Sequence, residues 1–596
     1  MIARGPIRSV LRHASWLLVA AWAVLAASCC LAAQQHFGDI TVTVQPQPTP
    51  EGTVFQTGKE GYLEFRITVE NRSTTKEHEV RLVYPPHMST FYGDCVTRNA
   101  RTVRVAPETT STVSLFQPAL QVVDERLAVE INGRRQEGQL SMDNPFNFGY
   151  RGYSHPTSGN RVLNVLASRG VPQELKDQVR VAHGDQAGFL RSELPVSEWS
   201  PQWLGYTCYD VVLLTREEAE SLTADVGRAL HRYAESGGMI LVHGVPLATA
   251  IPETLRNPTD KANHGLYRIG FGILRPCPTK APWPTEFWEG MNRTQNAPND
   301  PTLQVVGEVK VPVRGLLVLV IAFAVGIGPV NVWFLSRRGR KMWLWWIVPA
   351  VSLATCLVVF AYSLASEGVH GHGRTSLVTI LDENNHRAST LGFVSYYCPL
   401  TPSDGLHFSY DTAVAPLYAN DRYADPFRHQ RSRTLDWTND QHLDSGWVMA
   451  RVPACLALRM NETRRERLSI RRDADGTITV VNGLGEEIES LHYRDADGNF
   501  HVAQNLPAGQ EAKLDKDDKL AKRAGTVSKP LRELFTQNWS YSLNTLRQYP
   551  DTFLVPGTYL AVVKKSPFLN DPLPTAPQEG SVGIIYGICA ETGDGR

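Results

Sequence analysis

Residues 209–244 read YDVVLLTREEAESLTADVGRALHRYAESGGMILVHG, and this stretch decides the fold. Its two ends, VVLLT and MILV, are continuous apolar runs, which is typical of strands buried on both faces. A helix over 217–236 is predicted between them, because the apolar residues recur at steps of three and four: Ala219, Leu222, Val226, Leu230 and Tyr233. Gly237 and Gly238 can end that helix. Strand, helix and strand in this order predict a parallel α/β layer.

Two more apolar runs extend this layer toward the N-terminus. They lie at 161–167 (RVLNVLA) and 179–182 (VRVA), and both are interpreted as buried strands. The α/β unit is therefore predicted to cover residues 151–313.

The quoted stretch resembles the class I glutamine amidotransferase-like domain, in the degenerate form found in large bacterial membrane proteins. The resemblance implies an amidotransferase or flavodoxin-like α/β fold, with a nucleophilic cysteine on the sharp turn after the strand 239–242 in catalytic members. Here that turn reads His243-Gly244-Val245-Pro246. A thiolate or hydroxyl at this turn supplies the attacking electron pair, so the family's chemistry is not carried over and no catalytic residue is predicted.

His243 and Gly244 are the candidate ligand-binding residues, because ligands of α/β folds bind beyond the carboxyl ends of parallel strands. The alternative is that His243 is an ordinary packed or exposed loop residue. A bridge between Cys208 and Cys277 is a further hypothesis for this unit.

The flanking segments are predicted to be β. Residues 34–150 contain short alternating strands, as in YLEFRITVEN at 62–71, and FRITVENRSTTKEHEVRL resembles the immunoglobulin-like modules of exported bacterial proteins. Residues 366–596 are interpreted as a mainly-β region, and LHYRDADGNFHVAQNLPAGQEAKL in it resembles a module of the same bacterial proteins. Two Asp-Ala-Asp-Gly stretches, at 473–476 and 495–498, favour hairpin turns, with calcium loops as the alternative.

Three uncharged apolar runs, at 14–33, 315–335 and 342–365, predict membrane segments. Residues 1–33 are interpreted as a secretory signal, with a retained anchor or a lipoprotein signal as alternatives. Residues 314–336 and 343–365 are predicted to cross the bilayer as a two-helix hairpin. The loop at 337–342 between them carries four cations that would set the topology: Arg337, Arg338, Arg340 and Lys341. Since cationic loops stay in the cytoplasm, the expected location is the bacterial inner membrane, with both large regions periplasmic.

Composition excludes some classes of protein. The 596 residues carry 60 Lys and Arg against 60 Asp and Glu, whereas a nucleic-acid binder normally has a basic surplus. The nine cysteines include no CxxC pair, which gives no support to a redox motif or a zinc ribbon. No cofactor and no metal site are predicted, and a His370-Gly-His372 pair is interpreted as a loop.

The favoured function is a membrane-anchored scaffold or binding protein without catalytic activity, acting in a protein complex of the bacterial envelope. The resemblance implies MoxR-type ATPases and von Willebrand A-domain proteins as partners. A hydrolase that uses the crevice of the α/β unit, with an unrecognised nucleophile or metal, is the alternative. A ligand sensor ranks last because the predicted cytoplasmic loop is short. The sequence does not identify a small-molecule ligand.

Overall fold

The protein is described from a computed structural model. The structure describes residues 33–51, 61–85, 94–122, 124–142, 163–183, 187–244, 267–277, 305, 313–337, 341–367, 370–417, 431–523, 529, 531–535 and 539–589. The predicted signal segment lies almost wholly outside these residues. Within them the chain is mainly β and forms several sheets.

The N-terminal segment contributes eleven strands. They are β1 (Ala33–Phe37), β2 (Ile40–Val44), β3 (Thr49–Glu51), β4 (Tyr62–Asn71), β5 (His78–Tyr84), β6 (Asp94–Val105), β7 (Thr110–Pro118), β8 (Gln121–Val122), β9 (Arg126–Ile131), β10 (Arg134–Arg135) and β11 (Leu140–Ser141). One sheet has the order β1-β2-β4-β7, and a second begins β10-β9-β5-β6. The alternation in β4 buries Phe65, Ile67 and Val69 between the sheets, since successive side chains point to opposite faces.

A parallel sheet follows. Its elements are β12 (Leu163–Ala167), α1 (Gln173–His183), β13 (Ala187–Arg191), β14 (Val211–Thr215), α2 (Arg216–Glu220), α3 (Ala224–Glu235), β15 (Met239–His243), β16 (Tyr267–Ile269) and β17 (Gly272–Cys277). The parallel strands have the order β13-β12-β14-β15-β17, with β16 and β3 antiparallel at the two edges. Counted along the chain, the parallel strands run 2-1-3-4-5, which is the flavodoxin order.

Three local expectations for this sheet are corrected. Residues 179–182 belong to α1 and not to a strand. The single helix expected over 217–236 is two helices, because Thr215 caps α2 and Thr223 begins α3 with a cap of its own. The predicted bridge between Cys208 and Cys277 is absent, because neither residue forms a disulfide and they pack into separate hydrophobic clusters on opposite faces of the sheet.

The predicted transmembrane hairpin is wrong. Gly326, Gly328 and Pro329 lie in a π-helical turn, Gly326–Val330, which separates α4 (Val313–Val325) from α5 (Asn331–Arg337). These pieces have 13 and 7 residues, whereas a crossing needs about 20. The turn Lys341–Trp343 and α6 (Leu344–Glu367) follow. Over the described ranges, no helix combines the length and apolarity of a bilayer crossing. The predicted fold class, which included this hairpin, and the inner-membrane location are corrected accordingly.

The C-terminal region holds the remaining strands and helices. They are β18 (His372–Asp382), β19 (Arg387–Tyr397), β20 (Leu406–Phe408), β21 (Thr412–Leu417), β22 (Arg431–Asp436), β23 (Gln441–Leu443), β24 (Ala454–Thr463), β25 (Arg467–Arg472), β26 (Ile478–Gly483), β27 (Ile488–Arg494), β28 (Phe500–Leu506), β29 (Glu511–Lys513), β30 (Asp515–Lys516), α7 (Asp518–Arg523), α8 (Leu531–Leu534), α9 (Trp539–Gln548), β31 (Thr558–Val563) and β32 (Val582–Ile588). Most of the strands form a sheet ordered β21-β24-β19-β18-β32-β31-β27-β28-β30, and β25-β26-β29 form a small one.

Both Asp-Ala-Asp-Gly stretches are hairpin turns, as favoured from the sequence. The first joins β25 to β26 and the second joins β27 to β28. Gly476 and Gly498 have φ of 82° and 86°, which only glycine adopts freely.

Sheets are shared between segments that are distant in the chain. The second sandwich sheet continues from β6 into β22, β23 and β20, with β22 parallel to β6. In the same way, β3 of the N-terminal segment closes one edge of the parallel sheet. The sandwich is therefore completed by residues that lie more than 300 positions further along the chain.

A buried ion pair links α3 to the C-terminal sheet. Glu235, at the end of α3, is 3% exposed and lies 2.9 Å from a guanidinium nitrogen of Arg387 on β19. The Nδ2 of Asn461 donates to the same carboxylate oxygen at 2.7 Å, and His231 Nδ1 lies 3.3 Å from the other oxygen. Burial alone would raise the pKa of Glu235, but His231 and Arg387 outweigh it and lower this pKa to about 2. The carboxylate therefore contributes stability above pH 4.5 that is lost as the pH falls toward 2.

Replacing Arg387 by Met should lower the free energy of unfolding by about 3–5 kcal/mol, because it leaves the buried Glu235 charge without its guanidinium partner. Urea unfolding at pH 7 measures this. Arg228→Met is the matched control, since Arg228 pairs with Asp225 on the exposed face of the same helix and should change stability by at most about 1 kcal/mol. Equal effects of the two substitutions would contradict the role given to Glu235.

Candidate functional site

A cleft opens where the sandwich meets the carboxyl edge of the parallel sheet. Its floor includes Leu63, Glu64 and Arg66 of β4, and Leu166 and Ser192 lie at the ends of β12 and β13. Its other walls come from two short segments: Gln45 to Pro48 after β2, and the connection between β13 and β14. The space in and around this open cleft, with the solvent at its mouth included, is about 540 Å³. A cleft at a junction beside parallel strand ends is a common place for ligand binding.

Glu64 is the buried acid of this cleft. It is 8% exposed, and the hydroxyl of Ser114 donates to its Oε1. Burial raises the pKa of Glu64 above its ordinary value, although hydrogen bonds from Ser114 and Ser200 and the charges of Arg66 and Arg101 partly oppose the rise. The backbone of Gly205 lies against this side chain, and a Cβ there would collide with the carboxyl group.

Arg66 and two aromatic side chains form the wall above Glu64. The Arg66 guanidinium donates to the carbonyl of Glu198 at 2.6 Å, which ties β4 to the connection between β13 and β14. Trp199 and Tyr206 pack 6.3 Å apart, and the Tyr206 hydroxyl donates to the Ser200 carbonyl at 2.7 Å. The cleft thus combines a cation, a buried acid and aromatic surface, a set of groups that suits binding of a mixed polar and apolar ligand.

The topological switch point of the parallel sheet, where the strand order reverses beside the cleft, is occupied by a side chain of the protein. In the 2-1-3-4-5 order, ligands usually bind between the ends of strands 1 and 3, which here are β12 and β14. The carboxylate of Glu218 occupies this place and accepts from the Ser168 hydroxyl, from Gly170 N–H at 3.0 Å and from Thr215 N–H at 3.0 Å. An internal carboxylate therefore uses the donors that would otherwise be available to an anionic ligand.

The predicted ligand-binding residues lie elsewhere on the same edge. His243 ends β15, and its Nδ1 is buried without a hydrogen bond to the described residues. Gly244 has φ of 104° and donates its N–H to the carbonyl of Cys277 at 2.9 Å. Neither residue lines the cleft, and a ligand role for them stays a prediction.

The four cations of the predicted loop are only partly described. Arg337 ends α5, with its guanidinium 4.1 Å from the centroid of the Trp333 ring. Lys341 begins the short turn before α6, and Arg338 and Arg340 lie outside the described residues. Their proposed role in membrane topology depended on the transmembrane hairpin and is withdrawn with it.

The thiols of the parallel sheet are poor nucleophiles. Cys277 is fully buried, and burial raises its pKa to about 12, so the thiolate is scarce at neutral pH. Cys208 is also buried and lies within 4.0 Å of the Gly205 carbonyl.

The structure also gathers residues that the sequence did not single out. Asp404, His407 and His442 converge at one edge of the shared sandwich sheet. Burial lowers the pKa of His407, but the hydrogen bond to Asp440 and the charges of Asp440 and Asp404 outweigh it and raise this pKa. In the sequence, His407 and His442 are 35 positions apart, and only the pairing of β20 with β23 brings them together.

Comparison with known proteins gave no relative. A scan of this chain against models of known protein families and a search of curated proteins both found no match.

Glu64→Gln should change how stability depends on pH. Because the folded pKa of Glu64 is raised, wild-type protein is stabilised by this group below about pH 4.5 and loses that contribution as the pH rises through the folded pKa. The glutamine variant lacks this loss, so its stability relative to wild type should rise between pH 4 and pH 8. Urea unfolding across this range measures the difference. Parallel pH profiles for the two proteins would contradict a buried, raised-pKa carboxyl group.

Proposed function

We propose that this chain is a binding and scaffold protein without catalytic activity, which holds a segment of a protein partner in the cleft between the sandwich and the parallel sheet. The observation that carries the proposal is the cleft itself, which opens beside the ends of β12 and β13 and is lined by Glu64, Arg66 and Trp199. A partner segment would find guanidinium donors, a carboxyl group and aromatic surface there.

The shared sheets support the scaffold part of this proposal. Strands from the N-terminal segment and from the C-terminal region form one sandwich sheet. In addition, β3, which follows the wall at residues 45–48, pairs with β13 of the parallel sheet, so this wall is hydrogen-bonded to the strand that precedes Ser192. A site on such a framework is held in place before a partner arrives, which reduces the entropy lost on binding.

The chemistry of the carboxyl edge favours binding over catalysis. At the switch point, the Ser168 hydroxyl donates to Glu218, whose carboxylate also caps α2. In the cleft, Ser200 lies beside Glu64, but its hydroxyl also takes part in a local turn with the backbone of Gln202. A serine nucleophile usually needs an imidazole base held by a third group, and no described lining residue is a histidine.

A hydrolase that uses Ser200 with Glu64 as its base is the second candidate. The specific observation in its favour is that Ser200 lies close enough to Glu64 to lower the pKa of this carboxyl group. A fluorophosphonate probe discriminates between the two functions. We expect no covalent adduct on the folded full-length chain, whereas an adduct on Ser200 that is absent from Ser200→Ala would support the hydrolase and contradict our proposal.

Site-specific photo-crosslinking tests partner binding directly. Benzoylphenylalanine in place of Gln47, at the wall of the cleft, should give a discrete crosslinked protein in the native cells. Thr68 is the matched control, because it lies on the same strand face as Glu64 and Arg66 but outside the cleft. A partner crosslinked from position 47 and not from 68 is the expected result. The same products from both positions, or none from position 47, would contradict the proposed binding site.

A further inference from the structure

Two histidines face each other at the outer edge of the shared sandwich sheet. Strands β20 and β23 pair antiparallel, with His407 directly opposite His442. Directly opposite residues have their Cβ atoms about 4.5–5.5 Å apart, so their side chains meet on one face of the sheet. Asp404 lies three residues before His407, in the turn that leads into β20.

The side chains of these three residues converge. One possible ligand atom from each lies within 4.8 Å of the other two. The Nε2 of His407 is 3.4 Å from Oδ2 of Asp404, and the two imidazole rings stack with centroids 4.3 Å apart. Asp404 is exposed, and both histidines are half-buried, so an ion can reach the cluster from solvent.

His407 is set up as a metal ligand by its other nitrogen. Its Nδ1 lies 2.8 Å from Oδ2 of Asp440, so the neutral ring donates its Nδ1 proton to this carboxylate and keeps the lone pair on Nε2. That Nε2 is buried and makes no hydrogen bond to the described residues. A histidine ligand whose second nitrogen donates to a carboxylate is the usual arrangement in metal sites, because the carboxylate fixes the tautomer and the ring orientation.

We propose that Asp404, His407 and His442 bind a Zn²⁺ ion, with Asp440 as the positioning residue that orients His407. Two imidazoles and one carboxylate form a ligand set that suits zinc, whereas Ca²⁺ and Mg²⁺ prefer oxygen ligands alone. Three protein ligands leave the fourth tetrahedral position to water. The two rings are stacked with an interplanar angle of 10°, so they do not direct their lone pairs at one point as they stand. Zinc binding would require the His442 ring, whose Nε2 lies 3.0 Å from the backbone carbonyl oxygen of Asp404, to rotate.

The ion would act on the edge of the shared sheet. β20 is the last strand in the order β10-β9-β5-β6-β22-β23-β20. Zinc would link β23 to β20 and to the turn at Asp404. It would thereby stabilise the edge of the sandwich sheet that the C-terminal region contributes. This site is separate from the cleft, and the zinc proposal does not depend on the proposed function.

Isothermal titration of the metal-free full-length chain with ZnSO₄ tests the proposal. We expect one Zn²⁺ per chain at a site that the double variant His407→Gln/His442→Gln lacks. Asp440→Asn should weaken binding roughly 10–100-fold, and each single histidine variant should weaken it further. Any zinc bound by the nine cysteines is also bound by the double variant. The difference in zinc binding between the wild type and the double variant therefore measures the proposed site.

His372→Gln is the matched control, because His372 is a half-exposed strand histidine 3.8 Å from a single carboxylate, that of Glu579. It should bind Zn²⁺ as the wild type does. Added zinc should also raise the Tm of the wild type and of His372→Gln but not of the double variant. Equal zinc binding by the wild type and the double variant, or no zinc binding by the wild type, would overturn the proposal. Asp440→Asn changes no ligand and little volume, so it tests the site even where a histidine variant folds poorly.

Discussion

The side chain of Tyr62 joins three distant parts of the chain, and the rest of the structure depends on this junction. Its hydroxyl donates to the carbonyl of Val414 at 3.1 Å, and the Gln441 side chain donates back to it. Its backbone N–H donates to Thr207 Oγ1 at 2.9 Å in the connection between β13 and β14. Burial raises the pKa of the hydroxyl, so it stays neutral and can serve as both donor and acceptor. Tyr62 therefore contacts the parallel sheet, the C-terminal region and the sandwich at once.

The ring of Tyr62 packs where the sandwich is completed. It meets Trp437 edge to face at 5.6 Å, and Phe116 lies 5.2 Å from the same indole. Trp437 follows β22, the strand that extends the sandwich sheet beyond β6. Because buried aromatic rings remove large apolar areas from water, this cluster favours the pairing of β6 with β22. The histidine pair depends on that pairing, since it extends the sheet from β6 through β22 to β23 and β20.

The sequence predicts those parts of the fold that local pattern determines. The apolar runs VVLLT and MILV are strands β14 and β15, and the glycine of each Asp-Ala-Asp-Gly turn takes the positive φ that a hairpin requires. The run at 179–182 was misassigned, because four apolar-rich residues fit a buried strand and one turn of a helix equally well. The hairpin prediction rested on the length and apolarity of the two runs alone, and it took no account of the π-helical turn with Pro329 inside it that divides the first run.

The candidate site could not be predicted in the same way. Glu64 alternates with Leu63 and Phe65, which predicts that it points to solvent, and only the connection between β13 and β14 covers it. His407 and His442 become neighbours through strand pairing, and a single sequence contains no signal for that register. In both cases the decisive contact joins residues far apart in the chain, whereas periodicity reports only on neighbours.

Hydrogen–deuterium exchange of the full-length chain tests most directly whether distant segments form one framework. The account predicts that the amides of β22, in residues 431–436, are protected to the same extent as those of β6, in residues 94–105, because the two strands share one sheet and open together. Rapid exchange in β22 while β5 and β6 remain protected would show that the sandwich closes without the C-terminal region, and would contradict the account.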